Sequence, residues 1–297
     1  MRTGTVNRPF ALGPQSPGGD NGSMRIATLN TWGPRGAWSK RLEAMRAEFA
    51  RIDADIITLQ ETVLTAEFDQ AALMLGSGYR LAQQTVRESG DRGVPAGQGI
   101  TTASSWPLGE VVEVDLNVTE RTADFACACL ITEVLAPEPL GRIWVANHFP
   151  DYQLDHERER LLQAHTVARA LEQLIIDKPG HVIVAGDMDA DPSSDSLRFW
   201  TGRHVIGETS VCYRSATEAT RGGEVIETYT TANPFQVDQD WPFRSIDHVL
   251  VRCGHSGPSL IARSCRRAFD AGPTTVSDHY DFVVDYDIAA DTEGIEH

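Results

Sequence analysis

A single strand-rich α/β or α+β domain is the fold class this sequence predicts. Short apolar runs of strand length recur along the chain, only two segments carry long helical periodicity, and no repeat, low-complexity tract or Pro/Gly linker interrupts residues 24–290. At 297 residues, with 41% hydrophobic and 23% charged residues, the chain can bury a sizeable core, and large two-sheet folds reach this length as one unit.

Taken in order, residues 1–23 (MRTGTVNRPFALGPQSPGGDNGS) are rich in Gly, Pro, Asn and Ser without periodicity, the composition of a flexible tail. Met24 marks where folding begins. Strands are predicted at MRIATLN (24–30), ADIITLQ (54–60), FACACLITEVL (125–135), GRIWVANHF (141–149), HVIVAG (181–186), SIDHVLVR (245–252) and YDFVVDY (280–286), from their length and β-branched content. Helices are predicted at SKRLEAMRAEFARI and HERERLLQAHTVARALEQLII, where apolar residues fall at helical spacing, as in Leu161, His165, Ala168, Leu171 and Ile175. Two helices among so many strands cover a sheet rather than form a bundle. The last residues, 291–297, form a C-terminal tail.

The net charge of -16, from 26 Lys plus Arg against 42 Asp plus Glu, sets a mean field that repels polyanions and anionic membranes, which disfavours nucleic acid without forbidding it. No run approaches the roughly 18 apolar residues needed to span a bilayer, and no apolar signal core opens the chain. Five cysteines, Cys127, Cys129, Cys212, Cys253 and Cys265, show neither CxxC nor zinc-ligand spacing and read as reduced thiols. A cytoplasmic location without membrane insertion is the expectation.

Polar residues gather where the strands end. Asn30, Gln60, Glu61 and His148 close strands, and Asp187 and Asp189 follow HVIVAG in the acid-rich stretch GDMDADP. Asp247 sits inside SIDHVLV, and Asp278 and His279 precede the last strand. Singly, each has a plain explanation: Asn and Asp make turns at strand ends, Glu61 can cap the next segment, and one histidine is more often a satisfied polar residue than a catalyst.

Together and in order, LNTWG, LQET, NHF, GDMDADP, IDHVLV and SDH resemble the motif series of the endonuclease/exonuclease/phosphatase superfamily, its bacterial branch in particular, over about residues 24–286. The resemblance implies an α+β, DNase I-like fold: a four-layered α/β sandwich of two mostly antiparallel sheets packed face to face, with helices outside and the site where strand ends converge. It also implies a divalent-metal-dependent phosphoesterase. Phosphate esters resist attack because their oxygens are anionic, so a cation is needed to neutralise charge, and carboxylates supply the hard oxygen ligands that Mg²⁺ or Mn²⁺ prefers. By the same resemblance Glu61 is the principal metal ligand, with Asn30 beside it and Asp278 completing the shell. Asp187 orients or deprotonates water, His279 contacts the phosphate with Asp247 holding its tautomer and charge, and His148 is the second imidazole.

Two departures from the superfamily pattern bear on mechanism. Asp189 stands where Asn is usual, and an ionised carboxylate accepts hydrogen bonds but cannot donate them, so Asp189 is protonated, binds a metal directly, or belongs to a site that handles its phosphate differently; extra metal affinity is the reading favoured. Ser105 stands where related bacterial sequences have Arg. Arg87, Arg92 or the cluster Arg263, Arg266 and Arg267 could compensate, although that cluster reads more simply as a solvated surface. The long insert at 213–243 carries Tyr229, Phe235 and Trp241 as candidates for substrate contact. The function expected is hydrolysis of a diester or monoester of a small or modest-sized substrate; the alternatives are a nuclease and a noncatalytic binding protein with a degenerate site.

Overall fold

Apolar runs of strand length need partners on both faces, and the chain supplies them as two stacked sheets. The computed structural model describes residues 22–90, 94–123, 125–237, 240–270 and 272–289. Nearly all of the tail assigned to 1–23, the tail at 291–297 and Arg92 therefore lie outside the described residues.

In chain order the main elements are β1 (Ser23–Asn30), α1 (Trp38–Ile52), β2 (Ile56–Val63), α2 (Gln70–Leu75), β3 (Arg80–Gln83), β4 (Gln98–Ser104), β5 (Leu108–Asp115), β6 (Ala128–Leu135), β7 (Arg142–Phe149) and α3 (Glu157–Asp177). They continue with β8 (His181–Asp187), α4 (Asp195–Trp200), β9 (Tyr213–Ser215), α5 (Ala216–Arg221), β10 (Asp247–Gly254), β11 (Gly257–Pro258), β12 (Leu260–Ala268) and β13 (Asp281–Ile288). One sheet runs β12-β13-β1-β2-β4-β3, and the other runs β11-β10-β8-β7-β6-β5 with β9 added to β10. Among the described pairs only β1 with β2 and β7 with β8 are parallel. Both sheets are thus mostly antiparallel, as the sequence led one to expect.

Period-2 alternation decides which side chains fill which layer. Ile26, Ile56, Phe282 and Val284 of the first sheet interdigitate with Ile143, Val145, Ile183 and Val249 of the second in the core between the sheets. The alternate residues Ala27, Leu29, Ile57 and Leu59 face outward onto Met45, Phe49 and Ile52 of α1, which recur at helical spacing. On the far side, Trp144, Ala146, Val182 and Val184 pack against α3 and α4 through Ala164, Ala168, Leu171, Phe199 and Trp200. That is helix, sheet, sheet, helix. The α3 stripe is centred on Ala164, Val167, Ala168 and Leu171, which leaves His165 at its margin, where it hydrogen-bonds Thr209 at 3.0 Å. Burying each such Leu, Ile or Val side chain contributes about 1.5–3 kcal/mol.

Toward one end the layer between the sheets turns polar. Asn147 donates to the carbonyl oxygens of Leu59 and Thr101 (both 3.1 Å) and accepts from Gln60 at 2.8 Å, which pins the second sheet to the first. These groups are fully buried, so the hydrogen bonds they make also fix the relative position of the strand ends beyond them.

Candidate active site

The topology brings the polar strand ends to one edge of the sandwich. β1 and β2 run in parallel and deliver Asn30 and Glu61 side by side. β13 is antiparallel to β1, so the residues before it, Asp278 and His279, arrive at the same end. In the second sheet β10 is antiparallel to β8, and Asp247 pairs directly with Asp187.

Backbone irregularity aims two of the carboxylates. Between Leu59 and Thr62 the register against β4 shifts, so that Gln60 and Glu61 stand opposite one residue, and Glu61 takes φ 57°. Such a bulge re-aims a side chain that strict alternation would turn with Leu59 toward α1. Asp189 has φ 48° and Trp32 φ 56°, left-handed conformations costly for residues with a Cβ and concentrated at functional sites.

The side chains form one connected set. Asn30 donates to Asp187 Oδ2 at 2.9 Å and to Glu61 Oε1 at 3.2 Å, while its oxygen accepts from Trp32 N–H at 3.0 Å. It therefore bridges the two sheets through their carboxylates. His279 Nδ1 lies 3.0 Å from Asp247 Oδ2, and its Nε2 lies 3.7 Å from Asp187 Oδ2. Ser277 donates to the Asn30 carbonyl at 2.6 Å and accepts from His279 N–H at 3.2 Å, tying the approach to β13 onto the end of β1. Asp191, third acid of GDMDADP, accepts from the backbone N–H groups of Arg244 and Ser245, so it anchors the insert rather than entering the cluster.

Burial makes this charge expensive. Asp187 is held well above the usual carboxylate range by desolvation and then by the Asp189 charge. Desolvation likewise pushes Asp189 up to about 7, partly offset by His279 and Arg160, and pushes Asp278 up to about 6. For His279, burial alone would lower the imidazole pKa, but the facing Asp247 and Asp187 carboxylates overcome it and hold the value well above normal. Oxygen donors of Glu61 and Asp278 beside Asp187 and Asp189 suit a hard divalent cation, which would offset the desolvation, and the smaller mutual repulsion, that raise the Asp187, Asp189 and Asp278 carboxyls. Donor atoms of Asp187, Asp247 and His279 also fall within 4.8 Å of one another. Their geometry is that of a ring hydrogen-bonded to Asp247 through Nδ1 and within ion-pair reach of Asp187 through Nε2.

Some expected contributors stand elsewhere. His148 shares its face of β7 with Trp144 and Ala146, so its ring turns away from the cluster and meets Trp200 edge-on at 6.0 Å. Its Nδ1 has no hydrogen-bond partner, and burial pushes its pKa down to about 3, so the ring is neutral. The neighbouring Phe149, on the opposite face, lines the cavity. Strict alternation along IWVANHF carried that signal. Ser105 follows β4 at the end paired with the start of β2, where its N–H donates to Asp55. An arginine there would lie at the opposite end of the sheet from Glu61. Arg87 is spent on backbone carbonyls of Gln84, Thr62, Gly97 and Ile100, and Arg263 and Arg267 pair with Asp287 and Asp270 along β12.

Among the described residues, Arg35, which sequence reasoning passed over, is the Lys or Arg that lines the cavity, 2.8 Å from Glu61 Oε2. Its loop is held from below by the fully buried Arg41, which donates to the carbonyls of Thr31, Gly33, Arg35 and Val276 while lying under the Trp32 ring at 4.9 Å. Of the insert candidates, Tyr229 lies against His279 at 4.9 Å and lines the cavity with Trp241, whereas Phe235 stacks on Trp32. The cavity measures about 410 Å³.

Solved structures share this architecture at low sequence identity. The catalytic domain of human Nocturnin with bound sulfate superposes with a TM-score of 0.68 at 16% identity, covering 91% of this chain and 96% of that one. Zebrafish (D. rerio) TDP2 complexed with single-strand DNA product gives 0.66 at 16% identity, over 89% and 99% of the two chains. An endonuclease/exonuclease/phosphatase family protein from Bacteroides thetaiotaomicron gives 0.66 at 16%, over 93% and 98%. No curated protein sequence matches the chain. The family model described as Endonuclease/Exonuclease/phosphatase family matches residues 27–279, a span that holds every strand end described above, and the chain belongs to that family.

Proposed function

We propose that this protein is a phosphoesterase dependent on Mg²⁺ or Mn²⁺ that hydrolyses a diester or monoester of a small or modest-sized substrate. The observation that carries the proposal is the linked set Glu61, Asn30, Asp187, His279 and Asp247, an acidic ligand group joined through one amide to a carboxylate-backed imidazole. A bound divalent cation would neutralise phosphate charge and lower the pKa of water. Glu61 and Asp278 would hold it, with Asn30 keeping Glu61 and Asp187 in place. Asp187 orients the attacking water and accepts its proton. His279, kept protonated by Asp247, presents Nε2–H to the phosphoryl oxygens and stabilises the charge that develops there. Asp189 would add a third anionic ligand where an amide is usual, which would raise cation affinity, and it removes one hydrogen-bond donor to phosphate. Arg35 is the side chain able to exchange Glu61 for a phosphate oxygen when the cation takes the carboxylate.

Hydrolysis of bis(p-nitrophenyl) phosphate, p-nitrophenyl phosphate and plasmid DNA with Mg²⁺, Mn²⁺ or EDTA tests the proposal. Cation-dependent release of nitrophenol supports it, and no turnover of any phosphate ester under any condition overturns it. Nuclease action is the second reading, favoured by the likeness to TDP2 bound to a DNA product. The net charge of -16 weighs against it, as does a cavity whose only Lys or Arg, among its described lining residues, is Arg35. Efficient plasmid nicking would make that second reading correct.

A further inference from the structure

We infer that the alcohol part of the substrate carries a flat aromatic ring, an inference that rests on the phosphoesterase reading and specifies its substrate. Five aromatic side chains line the same cavity as Glu61, Asp187, Asp189, Asp278 and His279. They fall into two groups. Phe125 meets Phe149 edge-on at 5.4 Å and Tyr152 at 5.6 Å, and Tyr229 meets Trp241 edge-on at 6.5 Å. Strand order separates the groups. Phe125 and Phe149 belong to the β6 and β7 side, Tyr229 and Trp241 come from the insert that leads into β10, and β8 with Asp187 lies between.

The reacting carboxylates are therefore flanked by aromatic faces on both sides. Such faces bind a planar aromatic group by stacking or edge contacts, a gain beyond that of the area buried. Polar specificity is sparse. Arg35 is the only Lys or Arg among the described lining residues, enough to answer one phosphate and not a run of them. Tyr152 is 44% exposed although its ring belongs to the wall, an arrangement that leaves apolar surface for a ligand to cover. A ring carried by the alcohol would share the cavity with a phosphorus placed beside Asp187 and His279, because both walls line that same cavity. Hydrolysis then places the water oxygen on phosphorus, with the alcohol leaving as its own oxygen takes a proton.

Benzyl phosphate and cyclohexylmethyl phosphate, each also as its methyl diester, isolate ring flatness from leaving-group acidity and size. A nucleoside 5′-methyl phosphate is the third arm, which asks whether the ring is a nucleobase. The result expected is a preference for the benzyl over the cyclohexylmethyl ester of about tenfold in kcat/KM, expressed in KM. Trp241→Leu, Tyr152→Leu and the double variant should bring that ratio toward one, and the ratio is the quantity read, so a general loss of activity does not count. A nucleoside ester outrunning the benzyl ester would assign the ring to a base, and the reverse to a simple aryl group. Equal cleavage of benzyl and cyclohexylmethyl esters, or a ratio unmoved in the double variant, would overturn the inference and leave the phosphoesterase standing. Failure to cleave any of these esters or bis(p-nitrophenyl) phosphate would instead overturn the underlying reading.

Discussion

The two faces of the β7–β8–β10 part of the second sheet each bury an imidazole, and the contrast separates a charge-paired ring, the one proposed to react, from a ring packed among apolar side chains. On the face toward the first sheet, His279 lies between Asp247 and Asp187, and its pKa is held well above normal. On the face toward α3 and α4, His148 is 2% exposed beside Trp200, and burial drives its pKa down to about 3. Both rings are out of water. What differs is whether a carboxylate shares the burial, because an uncompensated charge in an apolar layer is too costly to form. Proximity in sequence to a strand end therefore does not decide the charge state of a buried imidazole; the carboxylates that share its face do.

Several variants would break or sharpen that contrast. The largest effect is expected from Glu61→Ala: loss of at least about 10³-fold in phosphodiester hydrolysis, the scale of removing an electrostatic anchor, with an unchanged far-ultraviolet spectrum. Glu61 is partly exposed in a loop-like bulge, so the fold should survive its truncation. A rate within tenfold of wild type would remove it from the catalytic set.

Asp189→Asn comes next, and its two effects run in opposite directions. The amide cannot carry the charge that desolvation makes costly, so the metal-free protein should gain on the order of 2 kcal/mol, read as a melting temperature higher by roughly 4–8 °C. Cation affinity measured by calorimetry should fall. Unchanged stability and unchanged affinity would show that Asp189 is not the strained extra ligand described above.

The pH dependence follows from the same groups. Asp189 at about 7 and Asp278 at about 6 bind protons in the folded chain that the unfolded chain, with carboxyls near their ordinary values, has released. The stability they contribute is present at low pH and is lost as pH rises through about 6 to 7, and the raised His279 acts with the same sign. The melting temperature of EDTA-treated protein should therefore fall between pH 6 and pH 8, and added Mn²⁺ should restore it most at the alkaline end. A melting temperature that rises with pH over that range would contradict the assignment. The smallest effect belongs to Ser105→Arg: at the far end of β4 it should change kcat/KM less than twofold.

Much of the fold and part of the site were legible in the sequence, for reasons that differ residue by residue. Apolar runs such as HVIVAG and WVANHF have the length and composition of strands, and Asn30, Asp187, Asp247 and His279 end, begin or precede such strands, so their convergence needed only the strand order. Three features escaped. His148 required the parity of β7, which places it with Ala146 and not with Asn147. Ser105 required the pairing of β4 with β2, which puts it beside Asp55. Arg35 required a loop shaped by Arg41 from α1, a long-range contact with no local signature.

The most direct test compares the two imidazoles in one experiment. Initial rates of bis(p-nitrophenyl) phosphate hydrolysis at saturating Mn²⁺ would be measured for wild type, His279→Ala and His148→Leu, each checked for folding by its melting temperature. The account predicts a loss of at least about 10²-fold for His279→Ala, in the range of general acid–base and charge-stabilising groups. It predicts a rate within about threefold of wild type for His148→Leu, whose apolar replacement also removes an unpartnered Nδ1. Equal losses in the two variants, or a larger loss at His148, would place the reacting phosphate on the wrong face of the sheet and contradict it.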